Sequence, residues 1–132
     1  MEGGARRGVI VALAYYYKHE ADQFSFIKIP KMMMTEELFA SLSLQAKILY
    51  GLLLDRVGMA RKNGWTDEED KIYVLYQISE IMTDMNVSKG KAVKALAELE
   101  KIGLVEKRPR GLGQPTLLYV KNFVVEEMSP EV

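Results

Sequence analysis

Lys89, Lys91 and Lys94 lie within one short stretch, and Lys107, Arg108 and Arg110 follow soon after. Ammonium and guanidinium groups at this density neutralise phosphates, and arginine also hydrogen-bonds phosphate oxygens or base edges. Ser88 and Gly90 are small residues at the same stretch, where a backbone N–H can come close to a phosphate. Gly113 and Gln114 lie beyond the second basic group, and a glutamine amide is another side chain that reads phosphate or base edges. Competing chemistries lack their residues. Without cysteine there is no thiol nucleophile, no disulfide and no cysteine zinc site. His19 is the sole histidine, which removes multi-histidine metal sites and the usual general base. No glycine loop ends in Lys-Ser or Lys-Thr, and nothing resembles a nucleophile elbow. The residues therefore point to binding with no enzymatic step, no cofactor and no metal.

Three further clusters have ordinary readings. Met32, Met33 and Met34 suit packing better than soft-metal binding. Asp67-Glu68-Glu69-Asp70 lacks the spaced ligands and the glycine of a calcium loop. Trp65, Tyr73 and Tyr76 offer faces for stacking bases, but their more economical role is to pack a strand onto the core.

The basic groups need elements to position them. Phe24–Ile29 alternates apolar and polar residues, which predicts a short strand or extended segment ended by Pro30. Thr35 is expected to cap a short helix reaching about Ala40, and Ser43 a longer one. Leu44, Ile48, Leu49, Leu52, Leu53 and Val57 recur at helical spacing, predicting a core helix that ends before Asn63-Gly64. Ile72–Tyr76, rich in β-branched and aromatic residues, reads as a strand. Ser79 is expected to cap a helix over about 80–85, and Asn86-Val87 to turn the chain. A further helix should run from Lys89 to about Lys101, capped by Ser88 and stopped by Gly103. Leu104–Arg108 and Thr116–Val120 then form a hairpin around a Gly/Pro-rich tip. On a helical wheel Ala92, Val93, Leu96 and Leu99 share one side, while Lys91, Lys94, Glu98 and Lys101 share the other.

This order of elements is that of a winged helix-turn-helix, an α+β, mainly α fold with a C-terminal β-hairpin wing. In that arrangement the second helix enters the major groove of DNA and the hairpin lies along the backbone or minor groove. A lysine-rich helix face alone is usually just a solvated face. Its succession by a basic hairpin in winged-helix order is what favours DNA. The net charge is zero, but it is unevenly spread. Residues 88–110 hold seven basic and three acidic side chains, whereas residues 66–84 hold six acidic and one basic. Such a split polarises the surface.

Several long, ordered runs carry a family resemblance. They include Glu20–Phe26, Ile29-Pro30-Lys31, Ala46–Gly51, Leu54-Asp55-Arg56, Lys62–Trp65, Lys91–Lys94 with Leu96–Leu99, Gly111–Pro115 and Tyr119–Phe123. Across about Glu20–Phe123 the chain resembles the N-terminal domain of the replication initiator protein A family of plasmids and integrated conjugative elements of Gram-positive bacteria. The resemblance implies a dimerising winged-helix domain that binds repeated sites at a replication origin. It places Lys91 and Lys94 in the recognition helix, and Gly111, Gly113 and Gln114 in the wing. Such initiators usually carry a second, C-terminal domain.

The expected organisation is an N-terminal extension, partly disordered, over 1–19, a winged-helix domain over 20–125 and a disordered tail over 126–132. No run approaches the roughly 20 apolar residues of a membrane span, so a cytoplasmic location and no membrane partner are expected. The expected DNA contacts are Ser88, Lys89, Gly90, Lys91, Lys94, Arg108, Arg110, Gly113 and Gln114, acting on double-stranded DNA. Tyr15, Tyr16, Tyr17, Phe24, Phe26 and Met33 are expected to build a homodimer contact, since aromatics and methionine are enriched in interface cores. Host replication proteins are further candidate partners. Two alternatives stay open: a transcriptional repressor on the same fold, and a winged helix that recruits replication proteins while its basic face stays idle.

Overall fold

Ser43 starts the central helix. Its Oγ accepts the Ala46 N–H at 3.1 Å, and helix α2 runs from Leu44–Asn63 until Gly64 turns left-handed. The computed structural model describes residues 8–20 and 24–123. Before α2 come a one-turn helix, α1 (Lys31–Thr35), and a 3-10 turn at Glu37–Phe39. Thr35 therefore ends a helix instead of capping one. Its Oγ1 donates to the Lys31 carbonyl, and the turn at Glu37 begins from Glu36. Pro30, extended at φ −58°, starts α1, the position where a missing N–H costs nothing.

The buried face of α2 is Ala46, Leu49, Tyr50, Leu53 and Ala60. Leu44 and Ile48, expected in the core stripe, are exposed. Small Ala46 and amphipathic Tyr50 take the inner positions. The Tyr50 hydroxyl reaches the Lys121 carbonyl at 2.8 Å, and Phe123 packs against both Tyr50 and Phe39. Residues 27–29 cross α2 at Gly51, where an added Cβ would stand 2.9 Å from Ile29 Cγ1 and 3.2 Å from the Lys28 carbonyl. Glycine is what lets the two backbones approach so closely. Phe24–Ile29 is extended but unpaired, so it is an arm and not a strand of the sheet.

Helix α3 (Ile78–Met85) starts from Gln77, with the Glu80 carboxylate accepting the Gln77 N–H at 3.1 Å. Ser79, the expected cap, lies inside the first turn. Asn86 takes φ 54° and reverses the chain, and Ser88 starts α4 (Lys89–Ile102), which stops at Gly103. Strands β1 (Val105–Arg108) and β2 (Leu117–Val120) pair antiparallel, Val105 opposite Val120 and Arg108 opposite Leu117. The expected strand at Ile72–Tyr76 contributes only single bridges, Val74 to Leu118 and Ile72 to Thr66. The Leu75 carbonyl instead accepts Arg56 Nη1 at 3.0 Å, and Tyr76 turns under the same guanidinium, 3.8 Å from its ring centre. Arg56 draws this backbone out of the ladder.

The core joins α2, α3, α4 and the hairpin through Leu49, Leu53, Ile81, Leu96, Leu99 and Leu118, with Met33 and Phe39 closing one flank. This is an α+β, mainly helical winged helix-turn-helix with a two-stranded wing. Residues 8–20 carry one turn, closed by the Glu20 N–H on the Tyr17 carbonyl, and no helix or strand. Residues 1–7 of the expected extension and the expected tail at 126–132 lie outside the described residues. No described helix is long and apolar enough to cross a membrane.

Candidate nucleic-acid interface

The candidate interface begins at the turn between α3 and α4. The Val87 N–H bonds the Met82 carbonyl at 3.1 Å, which closes the corner tightly and presents the start of α4 to solvent. Ser88 Oγ accepts the Lys91 N–H at 3.3 Å, so this hydroxyl serves as the helix cap. Its neighbours Lys89, Gly90, Lys91 and Lys94 are all exposed. A Cβ on Gly90 would meet nothing within 4 Å, so packing does not require glycine there. Glycine in a helix costs about 1 kcal/mol relative to alanine, and at this position the fold returns nothing for it.

The inner face of α4 is Ala92, Ala95, Leu96 and Leu99. Val93, expected to be inside, is 44% exposed, and Ala95 takes its place. Glu98, expected on the outer face beside the lysines, turns inward instead. Its two oxygens accept the Ser43 N–H at 2.8 Å and the Ser43 hydroxyl at 2.7 Å. A carboxylate at the start of α2 also faces the positive end of that helix. Lys91, Lys94, Ala95 and Glu98 line a groove of about 140 Å³ with Ser43 and Gln45. The sequence did not mark Gln45 as part of this face. Only the packing of α2 on α4 in the folded chain brings it there.

The wing is knotted at its neck. Arg110 Nε donates to the Pro115 carbonyl at 3.0 Å, and the Gln114 N–H to the Gly111 carbonyl at 3.3 Å. Gly111 and Gly113 sit at φ 102° and 76°, a region that side chains resist, so the tight tip depends on them. Leu112 stands between them, fully exposed. Gln114 is exposed too.

Arg108 is placed differently from the other expected DNA contacts. Its Nη1 lies 3.0 Å from Glu68 Oε1, 3.8 Å from Asp67 Oδ2 and 3.1 Å from the Tyr119 hydroxyl. Tyr119 in turn donates to Asp67 at 2.8 Å. Asp67 is the hub: it also accepts the Glu69 and Lys71 backbone N–H groups at 2.8 and 3.0 Å. Burial pushes the Asp67 carboxyl up, but the hydrogen bonds from Lys71, Tyr119 and Glu69 outweigh it and hold it below its usual value. The Glu68 carboxyl is lowered by its own backbone N–H and by Arg108. Lys107 pairs with Glu100 at 3.3 Å. Among the described residues Lys89, Lys91, Lys94, Lys101 and Arg110 make no ion pair.

The remaining expectations divide. Trp65 and Tyr73 stack on each other, ring centres 6.5 Å apart, and Tyr76 is buried with its hydroxyl on Asp84. No group of three or more acidic or histidine side chains among the described residues is placed to hold a metal ion. Tyr15, Tyr16, Tyr17, Phe24 and Phe26 are 62–85% exposed. Met33 is completely buried, so it belongs to the core and is corrected out of the dimer set. Residue type alone did not separate it from Met34, one position on, which is half exposed.

The family model described as "Replication initiator protein A (RepA) N-terminus" matches residues 25–131. The chain belongs to this family. Among solved structures, this initiator N-terminal domain is similar to one described as "N-Terminal domain of DNA binding protein", with TM-score 0.72, 34% identity and 88% of each chain covered. It is also similar to "Structure of Rep-DNA complex", with TM-score 0.71 and 35% identity, covering 86% of this chain and 88% of that one. A third, "Structure of MDR initiator", has TM-score 0.66 and 32% identity over 78% of this chain and 81% of that one. A curated relative, a "41 kDa protein" of Lactobacillus helveticus, is 27% identical over 81 residues, 61% of this chain. The match spans only 23% of that relative's length.

Proposed function

We propose that this initiator N-terminal domain binds double-stranded DNA sequence-specifically, with α4 in the major groove and the wing against the neighbouring backbone or minor groove. The observation that carries the reading is the contrast in pairing. Lys89, Lys91 and Lys94 on the open face of α4, and Arg110 on the wing, have no ionic partner among the described residues. Lys107 and Arg108 on the adjoining strand are both paired. In this reading Lys91 and Lys94 reach base edges or phosphates, and the start of α4 at Gly90 admits a phosphate to its N–H groups. Arg110, Gly113 and Gln114 steady the wing on the duplex. A solved neighbour described as a Rep–DNA complex supports the same use of the fold. The role is binding, with no catalytic step, in the cytoplasm where the replicon lies.

The targets are repeated sites at a replication origin, engaged by a homodimer. One winged helix covers few base pairs, so specific affinity generally needs two half-sites. The exposed aromatics Tyr15, Tyr16, Tyr17, Phe24 and Phe26, joined by exposed Val9, Ile10 and Leu13, supply the apolar surface for that contact. Selection of bound duplexes from a random pool tests the reading. It should enrich a repeated or palindromic motif. Weak binding with no enriched motif would instead support a protein-recruiting winged helix.

A further inference from the structure

The acidic turn at Asp67–Asp70 has no role in the DNA reading, yet it touches the wing. Glu68 Oε1 stands 3.0 Å from Arg108 Nη1, at the last residue of β1 before the wing loop. The turn is built to hold that position. Asp67, its side chain only 5% exposed, is fixed by two backbone N–H groups and the Tyr119 hydroxyl, and Tyr119 lies on the paired strand β2. Asp67 is thus committed to shaping the turn, which leaves Glu68 as the replaceable partner of Arg108. Glu69 points elsewhere, to Lys71 at 3.8 Å.

We propose that Glu68 limits the domain's affinity for DNA: by occupying Arg108 it withholds one cation from the duplex and so lowers the sequence-independent attraction to phosphate. The inference rests on the proposed duplex binding. Arg108 is half exposed, so a phosphate can reach it, in competition with Glu68 for Nη1. A contact available on every duplex raises non-specific affinity without adding discrimination. Neutralising it internally leaves recognition to α4. The pair is exposed enough that its effect is modest.

The test is a cycle of Glu68→Gln, Arg108→Ala and the double variant, with Glu69→Gln as a control that removes the same charge from the same turn without touching Arg108. Each is titrated over a range of salt against the selected duplex and a scrambled one. Freeing Arg108 in Glu68→Gln should raise scrambled-duplex affinity about two- to fivefold over Glu69→Gln. It should also steepen the log–log salt slope by about 0.9, as expected for one further phosphate contact. Selected-duplex affinity should rise by about the same factor, because a phosphate contact serves every sequence alike. Arg108→Ala alone should change little, and the double variant should return to its slope. Equal slopes for Glu68→Gln and Glu69→Gln would overturn the proposal, as would weaker binding by Glu68→Gln. Failure of the unaltered protein to bind either duplex would instead remove the underlying DNA reading.

Discussion

Lys91 and Lys94 differ from Arg110 in what surrounds them, and their substitutions should differ accordingly. The two lysines flank a groove at the exposed face of α4, where side chains reach base edges in a winged helix. Replacing either with alanine should cost about 1–3 kcal/mol on the selected duplex and relax preference at one base position. Arg110→Ala should weaken all duplexes about equally, and competition between selected and scrambled DNA separates the two outcomes. Asp67 sets a pH dependence. Its carboxyl is held below the usual value, so the bonds that tie the acidic turn to Tyr119 favour the folded form above the ordinary aspartate range, about 3.9. They are lost as pH falls through the lower folded value. Trp65, beside this turn and stacked on Tyr73, should keep its fluorescence from neutral pH down to about 4 and change only below that. Asp67→Asn should lack this step, and a change centred above pH 5 in the native protein would contradict the assignment.

At the scale of elements, Glu98 joins α4 to α2 through both its oxygens on Ser43. Glu98→Ala leaves the Ser43 N–H without its partner in a half-buried setting and should cost about 1–3 kcal/mol in denaturant unfolding. A change within error would mean that water replaces the carboxylate. Much of this framework was legible in the sequence because its signals are local. Ser43, Ser88, Asn86, Gly64 and Gly103 mark helix ends by side-chain chemistry or backbone freedom, and each stands where the pattern put it. The misplaced details depend on partners distant in the chain. Ile72–Tyr76 leaves the sheet because Arg56 takes the Leu75 carbonyl, and Glu98 turns inward because Ser43 lies beside it. Thr35 is spent as the last residue of α1, which Pro30 starts, and the following turn at Glu37–Phe39 begins from Glu36. Among site residues the lysine face was readable from spacing alone. The engagement of Arg108 was not, since Glu68 lies 40 positions away and meets it only in the folded chain.

For the whole molecule, the arm crossing α2 at Gly51 leads into an exposed aromatic segment on a domain whose core is already closed by Met33 and Phe39. That segment is available for a second copy of the chain. Sedimentation at micromolar concentration should show a dimer, and replacing Tyr15, Tyr16 and Tyr17 together with serine should yield a folded monomer. A dimer that survives this change would move the contact elsewhere. Met33 is left in place, because removing it would open the core. The charge distribution supplies the most direct test of the central claim, that the unpaired cations of α4 and the wing hold DNA. If Lys89, Lys91, Lys94 and Arg110, whether at base edges or at phosphates, each displace about one condensed counterion, affinity for the selected duplex should fall with salt at a log–log slope of about −3 to −4 per protomer. In the Lys91→Ala/Lys94→Ala variant the slope should shrink to about −2. A flat salt response, or a double variant that binds as well as the native protein with the same slope, would contradict the account.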